Sequence, residues 1–194
     1  LFEISMTMTD SQISAVELCA MVESVFSVDG VLARADPHYQ PREGQLAMAQ
    51  AVAHAMGAGE VLVAEAGTGV GKTYAYLVPA LLSGERVLLS TATKALQDQL
   101  FSRDIPRLVQ ALEVPVRVAL LKGRSSYLCL HRLGMARHAV GGESPQQIRV
   151  LAKIEEWSRS TRSGDLSELT GLDDRSPVIP RVTSTRENCL GSHC

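Results

Sequence analysis

The sequence predicts an α/β fold: a parallel sheet flanked by helices. Two observations carry this. Val61-Leu-Val-Ala64 is a short apolar run with no polar face, followed at once by a glycine-rich turn and a helical stretch. Arg86–Ser90 and Val116–Leu121 then repeat the strand-sized apolar pattern with helical spacers between them. Strands without a polar face suit a sheet covered on both sides, and strand–helix alternation at this spacing builds parallel pairing. At 194 residues with 45% hydrophobic content, the chain has material for a core.

The elements follow in order. Leu1–Asp10 contains Met6 and Met8 but no basic stretch leading into an apolar block, so no secretory signal is expected there. Residues 11–27 read as a helix, with Ile13, Val16, Ala20 and Val25/Phe26 at helical spacing, and Cys19 is expected to pack within it. A loop carrying Asp36-Pro37 and Gln40-Pro41 follows. Pro41 can open a helix over Arg42–Met56, since a first-turn position needs no N–H, and Gly57 and Gly59 end it. After the Val61–Ala64 strand come a helix over Lys72–Leu82, a strand at Arg86–Ser90, a helix over Lys94–Phe101 and a strand at Val116–Leu121. Two further helices are expected at Leu128–Ala139 and Pro145–Arg159. The last thirty or so residues are polar and turn-rich, with Gly164, Gly171, Asp173-Asp174, Pro177 and Pro180. They offer too few apolar positions to bury themselves, so an agent other than a core is expected to order them. No run approaches the roughly 18 apolar residues of a membrane span, so no membrane partner and a cytoplasmic location are expected.

Charge is unevenly spread. The net charge is −2, yet residues 1–65 hold nine acids against two bases, Arg34 and Arg42. Residues 117–162 hold nine bases against three acids, Glu143, Glu155 and Glu156. A local field attracts a polyanion whatever the total, although the same bases also suit solvated helix faces.

Ala66-Gly-Thr-Gly-Val-Gly-Lys-Thr73 is a phosphate loop, with Ala66 where glycine is commoner. Gly67, Gly69 and Gly71 let the backbone curl so that its N–H groups, with those of Thr68 and Val70, point at phosphates. Lys72 supplies a point charge and the Thr73 hydroxyl a ligand for Mg²⁺, while the helix that follows adds its positive end. ATP with Mg²⁺ is the expected ligand. The acids between Thr73 and the polar tail do not end apolar strands, so a hydrolytic carboxylate is not evident in this stretch.

Four cysteines are present: Cys19, Cys129, Cys189 and Cys194. Cys189-Leu-Gly-Ser-His-Cys194 pairs two thiols across a glycine, and Cys129 follows the third strand. Thiolates suit zinc or iron–sulfur centres, a Cys₃His site with His193 is a further arrangement, and unpaired structural thiols remain the plain alternative. Metal ligation would also explain how the polar tail becomes ordered.

Five ordered blocks carry a resemblance: Tyr39-Gln-Pro-Arg-Glu-Gly-Gln45, Ala64–Tyr76, Ser90-Thr-Ala-Thr-Lys-Ala-Leu-Gln-Asp-Gln-Leu100, Leu121–Cys129 and Asn188–Cys194. Across about residues 36–194 the chain resembles the iron–sulfur superfamily 2 DNA helicases, the group of DinG, YoaA and XPD, with the YoaA branch nearest. The resemblance implies a RecA-like P-loop domain interrupted by a mostly helical iron–sulfur insertion. It places Arg42 and Gln45 on the adenine side of ATP, and Thr91, Thr93, Lys94 and Gln97 on the DNA backbone, where contacts position without reading bases. It gives Cys129, Cys189 and Cys194 three of the four ligand roles to a 4Fe–4S cluster, the fourth falling outside this sequence. Of the basic surplus, it favours Lys122, Arg124 and Arg132 as DNA contacts.

The implied organisation is an extension with a helix at 1–35, the first part of motor domain 1 at 36–123, and a partial iron–sulfur insertion at 124–194. The implied activity is ATP-dependent 5′–3′ unwinding in DNA repair, on single-stranded and forked or duplex DNA, beside replication or repair proteins. A P-loop kinase or ATPase with a zinc insertion, and a non-catalytic nucleotide- and DNA-binding module, are the alternatives.

Overall fold

The computed structural model describes residues 2–6, 13–138 and 144–194, with the side chains of Phe2, Ser5 and Met6 aside. The expected helix ends at Ser11 and Ala139, half of Leu1–Asp10, and Glu143 lie outside these residues. The chain divides into two compact units, Leu1–Leu121 and Lys122–Cys194.

In the first unit, α1 (Ala15–Phe26) starts where Ser14 closes a capping box with Glu17: the Glu17 N–H donates to Ser14 Oγ at 3.2 Å and the Ser14 N–H donates to Glu17 Oε2 at 3.0 Å. The Ser14 hydroxyl, which donates to Glu17 Oε2 at 2.7 Å, and after it the Ser14 N–H hold the Glu17 carboxyl below its usual pKa. The buried stripe is Leu18, Val22, Val25 and Phe26, whereas Val16, expected inward, is 80% exposed. The short helix α2 (Val31–Ala35) was not legible in the loop sequence. Gly30 precedes it because a Cβ there would lie 2.5 Å from the carbonyls of Ser24 and Val25.

α3 (Glu43–Ala58) buries Ala49 and Ala53 completely, small residues that let it pack closely on α1 and on α4 (Lys72–Leu82). Gly57 touches Ala15 of α1, where a Cβ would fall 2.4 Å from the Ala15 Cα. α4 is apolar nearly all round, with Ala75, Leu77, Val78 and Leu81 fully buried, as befits a helix wrapped by its neighbours. β2 (Val87–Leu89), α5 (Lys94–Gln99), a π-type turn (Leu100–Asp104), α6 (Ile105–Leu112) and β3 (Val116–Leu120) complete the unit.

The sheet departs from the sequence expectation. Its order is β2-β1-β3, where β1 is Phe2–Met6, and both pairings are antiparallel. Ile4 of β1 lies opposite Val87 on one side and Val118 on the other, and its side chain is 1% exposed. Val61–Ala64, expected as a parallel strand, is not one: Val61 and Val63 are 95% and 93% exposed. The physical reason is occupancy, because β1 already satisfies the inward ladder groups of β2 and β3. The class is mixed helix and sheet, and the parallel pairing is replaced by antiparallel pairing among the described strands.

The second unit comprises α7 (Leu130–His138), α8 (Pro145–Ser158), a short 3₁₀ turn at Leu166–Glu168, α9 (Ile179–Val182) and a last 3₁₀ turn at Gly191–His193. Ser144 and Gln147 form a capping box at the start of α8. The polar tail does build a core: Leu166, Leu169, Val178 and Val182 bury themselves against Leu133, Ala136 and Ile154. Backbone bonds from Leu128 N–H to Gly164 O and from Cys129 N–H to Val182 O, both 2.8 Å, tie the start of the unit to its tail. Among the described residues no helix is long and apolar enough to cross a membrane.

Candidate nucleotide site and nucleic-acid-facing residues

The phosphate loop lies between α3 and α4. Gly69 and Gly71 have φ of 82° and 91°, the left-handed region that glycine enters at little cost. A Cβ at Gly71 would also push aside the Gln45 amide, whose Nε2 would lie 2.1 Å away. That amide donates to the Gly71 carbonyl at 2.9 Å, and Arg42 Nη1 donates to the Gly69 carbonyl at 2.6 Å. Arg42 caps the start of α3 and Gln45 is buried one turn on, so two side chains from one helix end hold two carbonyls of the loop. Lys72 Nζ donates to the carbonyls of Ala66 and Gly67 at 2.8 and 2.7 Å. The ammonium therefore closes the loop on itself, and its donors must transfer from carbonyl oxygens to phosphate oxygens for a triphosphate to bind.

The structure thus brings Arg42, Gln45, Ala66, Gly67, Gly69, Gly71 and Lys72 together, and Thr68 and Val70 lie in the same loop. Thr73 follows on α4 and hydrogen-bonds Tyr76; burial raises the Tyr76 pKa and this bond partly offsets the rise. Burial likewise raises Tyr74, with Asp104 adding to it, and Tyr39, whose hydroxyl donates to the Phe26 carbonyl at 3.2 Å. Both tyrosines line a cavity of about 620 Å³ with Leu32, Asp36, Arg107 and Leu108. Another part of its wall comes from Arg107, Leu108, Gln110 and Ala111 of α6, and its lining includes no residue of the phosphate loop.

The segment after β2 divides its roles. Thr93 caps α5, accepting from Leu96 N–H at 3.3 Å, and Lys94 is exposed. Gln97 is buried and donates to the Leu121 carbonyl at 3.4 Å, an internal strut; Thr91 Oγ1 is buried without a partner.

In the second unit Lys122 is turned inward. Its ammonium pairs with Asp165 Oδ2 and donates to Ser167 Oγ, both at 2.9 Å, with side chains only 9% and 11% exposed across the ion pair. Burial pushes the Asp165 carboxyl up, but the Lys122 and Ser167 donors outweigh it and leave the pKa below its usual value. The sequence expectation of Lys122 on DNA meets a side chain already spent inside the fold; a partner 43 residues away leaves no local signal. Arg124 is exposed, and Arg132 is half-buried with Nε lacking a partner.

The cysteines are all free: Cys19, Cys129 and Cys189 are half-buried and Cys194 is exposed. Cys19 donates weakly to the Gln50 carbonyl at 3.7 Å, a packing role. Free thiols have the soft donor chemistry of an iron–sulfur or zinc site. Their placement does not complete one, because among the described residues no three metal-capable side chains converge. The expected gathering of Cys129, Cys189 and Cys194 is therefore not seen.

A glycine loop closed by its own lysine at the start of a buried helix puts the first unit among phosphate-loop α/β domains. The chain belongs to the DEAD/DEAH box helicase family, which matches residues 46–157, and that membership makes the class RecA-like. The chain is 52% identical over 170 residues to the ATP-dependent DNA helicase YoaA of Escherichia coli K12, covering 87% of this chain and 27% of the relative. It is 46% identical over 175 residues to YoaA of Haemophilus influenzae, covering 89% of this chain and 27% of that protein. With the ATP-dependent helicase DinG of Mycobacterium tuberculosis H37Rv it shares 42% over 172 residues, 77% of this chain and 26% of the relative. The chain thus spans about a quarter of the length of these relatives.

Proposed function

We propose that this chain is part of an ATP-dependent DNA helicase that moves 5′ to 3′ on single-stranded DNA and opens forked or duplex DNA in repair, in the cytoplasm, beside replication or repair proteins. The observation that carries the reading is the phosphate loop held by Arg42, Gln45 and Lys72, in a chain 52% identical to a protein named an ATP-dependent DNA helicase.

In this reading Lys72 moves onto the β- and γ-phosphates, and the Thr73 hydroxyl takes its place beside Mg²⁺, whose charge offsets that of the phosphates. Arg42 and Gln45 keep the loop in register and present their remaining donors to the adenine side. Thr91, Thr93 and Lys94 would meet the DNA backbone, with Gln97 holding their helix, and Arg124 and Arg132 would extend that contact through residues 124–194. This second unit is read as the start of an iron–sulfur insertion after a motor segment at 36–123 and an extension at 1–35. In the whole protein Cys129, Cys189 and Cys194 would serve as ligands to a 4Fe–4S cluster, which when bound cross-links the thiolates that hold it.

The test is Lys72→Ala in the full-length protein. ATP hydrolysis and unwinding should fall at least a hundredfold with the fold intact by circular dichroism; retained turnover would reject the assignment. Duplexes carrying a 5′ or a 3′ single-stranded tail, compared in parallel, decide polarity.

A further inference from the structure

Arg42 and Gln45 reach the phosphate loop from the same end of α3. Arg42 is the N-cap and Gln45 lies three residues on, a spacing that puts both on one face of the helix. Between them Gly44 faces the Val70 side chain, whose Cγ1 would lie 3.6 Å from a Cβ built there. Each of the two side chains grips one loop carbonyl: Arg42 Nη1 that of Gly69 at 2.6 Å, and Gln45 Nε2 that of Gly71 at 2.9 Å. Lys72 grips the other end of the loop, at the carbonyls of Ala66 and Gly67.

A gripped carbonyl fixes more than itself. In a trans peptide unit the C=O of one residue and the N–H of the next point in opposite directions within one plane. Arg42 therefore sets the unit that joins Gly69 to Val70, and turns the Val70 N–H away from its own guanidinium. Gln45 sets the unit that joins Gly71 to Lys72, and does the same for the Lys72 N–H. These units are the ones freest to turn, because Gly69 and Gly71 carry no Cβ and sit at φ of 82° and 91°. A unit turned over would present a carbonyl oxygen where a phosphate oxygen needs a donor. The Gln45 amide is packed against Gly71 and the residue is only 6% exposed, so little of it is open to a base.

We propose that Arg42 and Gln45 are positioning residues for the triphosphate chain. By fixing two peptide planes they aim the N–H groups of Val70 and Lys72 at phosphate oxygens, and so act alike on any triphosphate whatever its base. The Gly69–Lys72 half of the cradle is thus set before a ligand arrives. The half at Ala66–Thr68 is set with the ligand, since its carbonyls are held by the same ammonium that the phosphates draw away. Donors of the pair that remain for the adenine side supply the smaller share of its contribution, an assignment that rests on reading the loop as a nucleotide site.

The test is the binding of ATP, GTP and inorganic triphosphate, each with Mg²⁺, read by displacement of a fluorescent, non-hydrolysable ATP analogue from the full chain. Gln45→Ala and Arg42→Met should each weaken all three ligands by one common factor of about fivefold, the scale of a lost hydrogen bond. Arg42→Lys, which keeps a donor, should lie closer to the parent than Arg42→Met does. A loss confined to ATP, with GTP and inorganic triphosphate unchanged, overturns the proposal and makes the pair readers of adenine. A parent chain that binds ATP but neither GTP nor inorganic triphosphate overturns it as well. A parent that binds none of the three overturns the nucleotide reading and the proposal together. Circular dichroism separates a folding defect from lost binding. Should Gln45→Ala lose helicity, the exposed Arg42 decides, and unchanged affinity for all three ligands in Arg42→Met overturns the proposal.

Discussion

The two units reach order by different routes. In Leu1–Leu121 a motif sits on a scaffold: the core of α1, α3 and α4 is apolar and continuous, and the phosphate loop hangs between two of its helices. In Lys122–Cys194 no motif of comparable sharpness marks the fold, yet scattered apolar residues and one inward ion pair assemble a separate core. The first unit can therefore change its loop without losing its fold. The second depends on a few long-range contacts, each of which matters more.

That difference is most exposed at Lys122. Removing one partner of a buried pair leaves the other charged and unsolvated, which costs about 3–5 kcal/mol. Lys122→Ala should destabilise the second unit by an amount in that range, read as a fall in the denaturant midpoint of a probe such as Trp157. An effect confined to DNA affinity, with stability unchanged, would return Lys122 to the surface role expected from sequence. The pH dependence has a definite sign. The folded Asp165 carboxyl lies below its unfolded value, so its contribution is present above the unfolded pKa and lost as pH falls through the folded one. The second unit should lose stability in acid below about pH 4, near the ordinary aspartate pKa, and Asp165→Asn should remove that component.

A core substitution sharpens the contrast between units. Ile154 is completely buried in the small second core, and Ile154→Ala should cost roughly 2–4 kcal/mol, within the usual range for such a deletion. Leu81→Ala, equally buried in the first unit, should cost a similar amount, but should leave the second unit's transition in place if the two melt independently. A single shared transition for both variants would show that the units are energetically one.

At the loop the expected effect is smaller. Gln45→Ala removes one hydrogen bond to the Gly71 carbonyl, a change of about 1 kcal/mol. Nucleotide affinity should fall about fivefold while the melting point hardly moves. A large loss of stability would make Gln45 a core residue and not a holder of the loop.

Much of this was legible from sequence and some was not, for identifiable reasons. The spacing from Ala66 to Thr73 located the loop and the start of α4, and Pro41 with Gly57 and Gly59 bracketed α3 to within two residues. Periodicity found α1 but chose Val16 over Val22, because both helical stripes carry apolar residues and only packing selects between them. Val61–Ala64 reads as a buried strand on composition, and the pairing of Phe2–Met6 with β2 and β3 is not visible locally. In the tail, Leu166, Leu169, Val178 and Val182 are spaced too irregularly for any helical or strand period, so the core they form was missed. The hydrogen bond from Arg42 to Gly69 spans 27 residues, and no local pattern encodes it.

The smallest expected effect is also the most discriminating. If metal ligation were the agent that orders the tail, loss of a thiol would unfold residues 164–194. The structure instead secures that stretch up to Ser184 with buried side chains and with the bonds to Leu128 and Cys129, and leaves most of residues 185–194 exposed. Cys189→Ser and Cys194→Ser should therefore change the stability of the second unit by less than about 0.5 kcal/mol, the usual scale for substitutions away from buried features. Helicity at 222 nm and the denaturant midpoint of Trp157 fluorescence are the measurements. Removing any bound metal with a chelator should act the same way, reaching only the last ten residues. A cooperative loss of helicity in α7 and α8 on either treatment would mean that the thiolates hold the core together, and the two routes to order would then differ in metal and not in packing.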